Sequence, residues 1–419
     1  MVTTTTNIPI PGEVWIELYT ASSISSGTSI STQNIGVNDL YYSVSATEPP
    51  RDSDKYRIFK RGQVIEQVDN DKKIWVFSPQ SPGLINVEIL GYTNFPLGFN
   101  QQVAEGRVNG YSFVAKFGEN PDIDAASGFE TIWDGGGTYI PPTQARIHDC
   151  VSTNVADAGT LVSSGMATGG TTITLEDTGA TFITDGVALG DVILNDTNCE
   201  IGIVTAITSE TVLRHGFMRN PNTGMIGQTF ESGDSYRVVT DAGVGAGIMY
   251  IKGLNASFLS TNEFVIMDGT NNVPTVSSYT RMFRARAFGA NTTGAVGILT
   301  ATAQVDGTVS CQIINGNNQS LMSIYTVPFG KIGYLAKWWG SISKKQISSS
   351  IVRLRAGTLD GLGYILQTRA ITTSGSSEFN YSYTISEPLA GGVDVWVEAD
   401  SDSNDVGITS GFDLILKDS

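Results

Sequence analysis

Short runs of β-branched and aromatic residues recur along the whole chain, each closed by Gly, Pro, Asn or Asp. Glu13-Val14-Trp15-Ile16-Glu17-Leu18-Tyr19, Ile74-Trp75-Val76-Phe77, Leu84-Ile85-Asn86-Val87-Glu88-Ile89 and Gly247-Ile248-Met249-Tyr250-Ile251 are of strand length. So are Phe264-Val265-Ile266-Met267, Asp394-Val395-Trp396-Val397-Glu398 and Phe412-Asp413-Leu414-Ile415-Leu416. Several alternate polar with apolar residues, the period of a strand with one buried face. Helical spacing is not sustained over three turns. The longest candidate, residues 279–288, also reads as Met282, Arg284 and Arg286 alternating with Phe283, Ala285 and Ala287. The expected fold class is therefore all-β. Charged residues make up only 16% of the chain and 47 residues are Gly, which suits stacked strands joined by tight turns.

Three segments separate by composition. Residues 1–97 hold six or seven short strands, enough for a small β-sandwich. They carry the polar turn Thr47-Glu48-Pro49-Pro50-Arg51-Asp52-Ser53-Asp54 and end in Gly91-Tyr92-Thr93-Asn94-Phe95-Pro96-Leu97-Gly98, which reads as a linker because Gly and Pro interrupt any ladder. Further on, two similar turns, Val155-Ala156-Asp157-Ala158-Gly159 and Thr240-Asp241-Ala242-Gly243-Val244, bracket a stretch with its own strands and turns. Residues 160–240 have the size of a small β-barrel-like domain inserted into a loop, where chain ends lie close together. The host is then split. Residues 98–159 and 241–419 together supply enough strands for a jelly-roll-like two-sheet sandwich.

Charge narrows the function classes. The formal net charge of −16 and a pI near 4.5 argue against a nucleic-acid binder that neutralises phosphates with Lys and Arg. No apolar run approaches the ~18 residues of a membrane span, so no membrane insertion is expected. Met1-Val2-Thr3-Thr4-Thr5-Thr6 lacks the basic start and apolar core of a signal peptide, and export by that route is not expected. Cys150, Cys199 and Cys311 are sparse, odd in number and outside any CxxC pattern, which suits a reducing cytoplasm better than a disulfide scaffold.

Catalytic patterns are thin. His148 and His215 are the only histidines. His148 and Cys150 share one side of a strand, but the pairing reads as a strand end with a buried Cys. Trp133-Asp134-Gly135-Gly136-Gly137-Thr138-Tyr139-Ile140-Pro141-Pro142 offers three glycines, yet no Gly-Lys-Ser/Thr and no opening helix follow, so a phosphate loop fails. A tight backbone crossing anchored by Trp133 and Tyr139 is the reading, with a ligand-contacting loop as the alternative. Asp400-Ser401-Asp402-Ser403-Asn404-Asp405 begins like a calcium loop but puts Asp405 where the glycine belongs and Gly411 where the bidentate Glu belongs. A solvated turn is expected there, and a looser Ca²⁺ turn site stays open. Asp52, Asp54, Asp69, Asp71, Asp122 and Asp124 form similar short acidic clusters in turns. A glycosidase carboxylate pair is defined by distance in space, and nothing in the sequence selects one. No β-helix repeat of the depolymerase kind is found.

Aromatic clusters remain. Tyr334-Leu335-Ala336-Lys337-Trp338-Trp339-Gly340, followed by Lys344 and Lys345, sets paired Trp in a local basic patch. Trp133, Tyr139, Trp338 and Trp339 are the candidate partner or glycan contacts, because flat aromatic faces dominate such contacts. The alternative places one Trp in a core and one at a subunit contact. No catalytic residue, metal ligand or cofactor is expected.

Several further strings stand out: Ala145-Arg146-Ile147-His148 with Ser152-Thr153 and Ala156-Asp157, then Ala246-Gly247-Ile248-Met249-Tyr250-Ile251-Lys252-Gly253-Leu254-Asn255-Ala256. Glu263-Phe264-Val265-Ile266-Met267-Asp268-Gly269-Thr270, Tyr279-Thr280-Arg281-Met282-Phe283-Arg284-Ala285 and Gly297-Ile298-Leu299-Thr300-Ala301-Thr302 follow. Gly316-Asn317-Asn318-Gln319-Ser320 and Pro328-Phe329-Gly330-Lys331-Ile332-Gly333-Tyr334 close the set. Together they resemble virion structural proteins of tailed bacteriophages. Asn34-Ile35-Gly36, Ala46-Thr47-Glu48-Pro49-Pro50 and Trp75-Val76-Phe77-Ser78 are similar to small phage structural domains. In such relatives the chain runs straight from an Ala-Asp turn into the Gly-Leu-Asp/Asn strand, whereas here residues 160–240 intervene. The resemblance implies a surface-exposed, non-enzymatic virion component made in the host cytoplasm, either a capsid decoration or head fibre protein or a tail fibre. It carries over no active-site residue. The expected partners are other virion proteins, met through the N-terminal domain, and further copies of the chain, a homotrimer being favoured. A receptor- or host-glycan-binding adhesin is the second reading and a polysaccharide depolymerase the third.

Overall fold

The computed structural model describes every residue except 1–4, 25–29, 51–55, 62, 68–72, 80–81, 90–98, 222–223, 225, 228, 241–242, 290–293, 344–348 and 360–364. The linker octet from Gly91, the aspartates at 52, 54, 69 and 71, and Lys344 and Lys345 lie outside the described residues. Among those described are 31 strands and three helices of four to six residues, so the chain is all-β. The strand ladders are antiparallel throughout. Two compact units divide it, residues 1–101 and 102–419.

The first unit contains β1 (Thr5–Ile10), β2 (Trp15–Glu17), α1 (Leu18–Ser22), β3 (Ile30–Asn34), β4 (Leu40–Ser45), β5 (Arg57–Phe59), β6 (Val64–Gln67), β7 (Lys73–Phe77) and β8 (Gly83–Ile89). Its sheets, β1-β8-β3-β6 and β2-β7-β4-β5, face one another as a sandwich. Alternation decides which side chains meet. Ile8, Ile10, Ile30, Ile85 and Val87 come from one sheet, and Leu40, Phe59, Ile74 and Val76 from the other, with Leu18 and Tyr19 of α1 filling one end. Glu17 starts α1 by accepting from the backbone N–H of Tyr19 at 2.9 Å and of Thr20 at 3.1 Å.

Helix α2 (Phe99–Ala104) leads into the second unit, which opens with β9 (Tyr111–Ile123), β10 (Glu130–Thr131) and β11 (His148–Ser152). Residues 161–239 then build β12 (Leu161–Met166), β13 (Gly169–Thr171), β14 (Thr174–Glu176), α3 (Phe182–Asp185), β15 (Val192–Asn195), β16 (Glu200–Ser209), β17 (Val212–His215) and β18 (Ser235–Val239). These strands form one sheet of their own, β12-β18-β15-β16-β17-β14-β13. Leu175 and Leu213 near one end of that order share a core with Tyr236 and Val238 near the other, so the sheet curls around Phe182. The chain enters and leaves this sheet side by side: Leu161 pairs with Val239, and the Thr240 N–H donates to the Thr160 carbonyl at 2.9 Å.

The remaining strands are β19 (Ile248–Leu254), β20 (Ser260–Ile266), β21 (Val273–Pro274), β22 (Arg281–Phe288), β23 (Leu299–Ala303), β24 (Val309–Ile313), β25 (Ile324–Thr326) and β26 (Lys331–Ser343). They are followed by β27 (Ser349–Gly357), β28 (Ile365–Ser374), β29 (Ser377–Ser382), β30 (Asp394–Ser401) and β31 (Val406–Asp418). Counting strands suggests one two-sheet sandwich here; the structure has four sheets over two cores. Sheet β29-β26-β31-β9 packs on β10-β30-β27-β28 through Trp338, Val352, Leu354, Val397, Phe412 and Leu414. Sheet β21-β11-β23-β24 packs on β20-β19-β22 through Cys150, Met249, Ile251, Ala285, Ala301 and Ile313. Strand β30 joins the two, because Val395 and Val397 point into the first core and Trp396 into the second. The opposite face of β20-β19-β22 supplies Ile248, Tyr250 and Phe264 to a junction core with Val192, Leu194, Cys199 and Val239 of the curled sheet.

Candidate functional site

Three of the four aromatic candidates are buried and are corrected as contact residues. Trp338 is 0% exposed, because on β26 it faces the interior of its sandwich. There it meets Phe379 edge-on at 4.8 Å, and its Nε1 donates to Ser410 Oγ at 3.2 Å. Trp133 and Tyr139 pack edge to face at 5.2 Å in the second core. The glycines between them serve this packing. A Cβ on Gly135 would sit 2.3 Å from the Trp133 ring, and Gly136 and Gly137 have positive φ while their carbonyls accept from Trp133 Nε1. Trp339 alone is half-buried, on the outer face of β26, where its ring lies over Gly411. It borders a shallow groove with Lys337, Glu378 and Asn380.

Histidine and cysteine chemistry is sequestered in the same way. His148 and Cys150 point to one side of β11, both fully buried. The His148 ring is held between the Arg146 carbonyl at Nδ1 and Ser310 Oγ at Nε2, each at 2.9 Å, and burial pushes its pKa down to about 4. Burial also pushes the Cys150 thiol up and raises the Cys199 and Cys311 thiols to about 12, far from a reactive thiolate. At the acidic turn, Asp402 Oδ1 accepts from the Ser349 N–H at 2.8 Å and Asn404 Oδ1 from the Ala125 N–H at 3.1 Å. These side chains hold the β30–β31 turn. Among the described residues no group of three or more His, Cys, Asp or Glu side chains is placed to hold a metal ion, and no helix is long and apolar enough to cross a membrane.

The most unusual chemistry lies in a groove of about 720 Å³ between β9 and β22. Lys252 of β19 stands directly opposite Arg284 of β22, and Tyr250 opposite Arg286, so three cations share one face of this sheet. Lys116 of β9 reaches the same place, 4% exposed, and its Nζ donates to the Phe283 carbonyl. Arg284 Nη2 donates to the Ala115 carbonyl at 2.7 Å, on the edge strand of the neighbouring sheet. Arg286 Nε is buried with no hydrogen-bond partner among the described residues. Among the described residues, none of these four cations forms an ion pair. Among the described residues lining the groove the carboxylate is that of Glu105, 2.6 Å from Arg107. Burial, then Arg284, holds Lys116 well below the usual lysine range. Lys252 is lowered by the same two causes, Arg284 by burial and Arg286, and Arg286 by burial. The outer row of β9 adds Tyr111, Phe113 and Phe117 as an aromatic wall, with Phe113 and Phe117 over one-third exposed.

The sequence alone does not single out this cluster. The alternation of Arg284 and Arg286 along residues 279–288 was a visible signal, but the positions of Lys252 and Lys116 depend on register and on the approach of a second sheet. Comparison with known proteins matches the chain to no family model and to no curated protein.

Proposed function

We propose that the chain is a non-enzymatic structural component of a tailed-phage virion, a surface-exposed capsid decoration, head fibre or tail fibre protein acting through symmetric oligomeric assembly. One observation supports this beyond the sequence resemblance itself. Of the segments that carry the resemblance, 246–256, 263–270, 279–285 and 297–302 run through β19, β20, β22 and β23, 145–148 ends on the first residue of β11, and these strands build one sandwich around one core, whereas 328–334 enters β26 of the other sandwich. Most of the resemblance after Ala145 therefore falls on core-forming strands, which suits a shared structural role. In this reading the N-terminal sandwich meets other virion proteins, copies of the chain associate as a trimer, and many modest contacts repeated by symmetry give cohesion. The test is cryo-electron microscopy of purified particles together with the solution mass of the isolated chain. Density for the chain repeated with particle symmetry, and a mass three times 44.6 kDa, are the expected results. Particles without the chain would overturn the proposal.

A host-glycan contact is the second reading, favoured by the accessible position of Trp339 beside its groove. Glycan-array binding that Trp339→Ala abolishes without loss of assembly supports it; binding unchanged by that variant removes it.

A further inference from the structure

We propose that the groove between β9 and β22 is an oxyanion-binding site, in which Lys252, Arg284 and Arg286 donate to a carboxylate, phosphate or sulfate group and the aromatic row of β9 walls the rest of the ligand. The inference stands on this groove alone and does not require the virion reading.

Outside this groove the chain sets its buried guanidinium groups against carboxylates. Buried and half-buried arginines are paired: Arg281 with Asp394, Arg146 with Asp306, Arg237 with Asp196 and Arg355 with Glu398, all at 3.0 Å or less. Acidic residues outnumber basic ones 41 to 25, so carboxylate partners are plentiful. In the groove the pattern reverses. Like charges directly opposite on adjacent strands repel, as Lys252 and Arg284 must. Withdrawing an unpaired donor from water, as at Arg286 Nε, costs free energy that a scaffold has no reason to bear. The other half of the same sheet face shows the economical solution, with Ile248, Tyr250 and Phe264 buried against the curled sheet.

An oxyanion resolves every one of these features. It supplies the missing negative charge and accepts charge-assisted hydrogen bonds from several donors at once, which guanidinium groups provide in a planar fork. Arg284 is already oriented by the Ala115 carbonyl, and Arg286 keeps Nε unspent. Tyr111, Phe113 and Phe117 offer apolar surface beside that point, as for a ligand with an acidic group on a less polar body such as an acidic sugar. The −16 charge of the whole chain repels long polyanions, which favours a small ligand.

The test uses the full chain at low ionic strength, titrated calorimetrically with sodium phosphate, sodium sulfate and digalacturonate, against sodium chloride at matched ionic strength. Saturable binding of at least one probe, absent for chloride, is expected. Phosphate or sulfate binding indicates a free-ion site, whereas binding of digalacturonate alone indicates that the aromatic wall is needed; either supports the proposal. Lys252→Met and Arg284→Gln should each weaken binding about tenfold. Their melting temperatures without ligand should be equal to or above that of the parent, because each removes an uncompensated charge. Arg286→Lys keeps the charge but removes the Nε donor, and should weaken binding should either of the first two variants misfold. Binding of no probe beyond chloride, or binding unchanged in the folded variants, overturns the proposal.

Discussion

The Asp157 carboxylate accepts a 2.7 Å hydrogen bond from the backbone N–H of Ala246, 89 residues further along the chain. The two residues flank the curled seven-stranded sheet, one before it and one after. Asp157 is fully buried and its carboxylate also accepts from Ser152 Oγ at 2.6 Å and from the backbone N–H groups of Val296 and Gly297 at 3.0 and 2.7 Å. Gly245 permits the approach, since a Cβ there would lie 2.2 Å from the Ala156 carbonyl oxygen. One side chain thus ties together three segments distant in sequence. Asp157→Ala leaves four donors without that acceptor, and should cost about 3 kcal/mol or more. Asp157→Asn retains one acceptor oxygen and should cost less. Urea unfolding of both variants measures the order; equal stability of Asp157→Ala and the parent would falsify the role.

The paired tryptophans give a second prediction. Trp338→Ala empties a fully enclosed site and should destabilise by about 3–5 kcal/mol. Trp339→Ala, on the outer face of the same strand, should cost distinctly less. Denaturant midpoints of the two variants decide it, and the reverse order would contradict the register of β26 against β31.

These tryptophans also mark what a sequence can disclose. The strands were legible because β-branched and aromatic runs alternate at period two, and adjacency alone sends Trp338 and Trp339 to opposite faces. Which of them points inward depends on pairing with Phe412 and Gly411, partners more than seventy residues away. The same limit hid the two-core arrangement: alternation turns Trp396 away from its neighbours Val395 and Val397, but nothing local to it says that a second core lies on that side. The cation groove needs still more. Lys116, Lys252 and Arg284 are separated by more than thirty residues from one another, and only the ladder of β19 with β22 and the edge of β9 bring them together.

Two buried groups predict opposite pH dependences. Asp134 is 8% exposed; Oδ2 accepts from the Leu321 N–H at 3.0 Å, Oδ1 has no partner among the described residues, and burial raises its pKa from 3.8 to about 7. The folded state holds this proton more tightly than the unfolded chain, so its contribution is full below pH 3.8 and is lost as pH rises to about 7. Asp134→Asn should therefore gain stability relative to the parent across that window and hold the gain above it. His148 runs the other way. Its pKa falls from 6.5 to about 4, so its contribution is full above pH 6.5 and is lost as pH drops toward 4. Urea midpoints from pH 4 to 8 for the parent, Asp134→Asn and His148→Asn should show both slopes, and parallel curves for all three would contradict them.

The two sandwiches of the second unit are joined through an ion pair. Arg281 of β22 and Asp394 of β30 meet through Nε–Oδ1 at 3.0 Å and Nη2–Oδ2 at 3.1 Å, with side chains 4% and 0% exposed. Asp394 also accepts from Thr326 Oγ1 and, at 2.8 Å, from the Leu359 N–H. Asp394→Ala strands a buried guanidinium and should cost about 3–5 kcal/mol. Removing both charges with Arg281→Met and Asp394→Leu together should cost less than either single change. A double-mutant cycle by denaturation tests this, and additive costs would show that the pair is not coupled.

The curled sheet provides the last prediction. Its entry and exit strands pair at Leu161 and Val239, and the Asp157–Ala246 bond lies outside it, so a chain lacking residues 161–239 can close without spanning a gap. Excision removes the Arg237 Nη2 donor from the Phe264 carbonyl, and Ile248, Tyr250 and Phe264, now buried against Val192, Leu194 and Val239, become solvent-exposed. The excised chain should unfold cooperatively yet self-associate through this apolar patch. Adding Tyr250→Lys and Phe264→Glu, outward-facing opposite partners on β19 and β20, should restore a single species on size-exclusion chromatography. Loss of cooperative unfolding in both excised chains would show that the sandwich depends on the curled sheet for its fold, and that covering the apolar patch is not its only contribution.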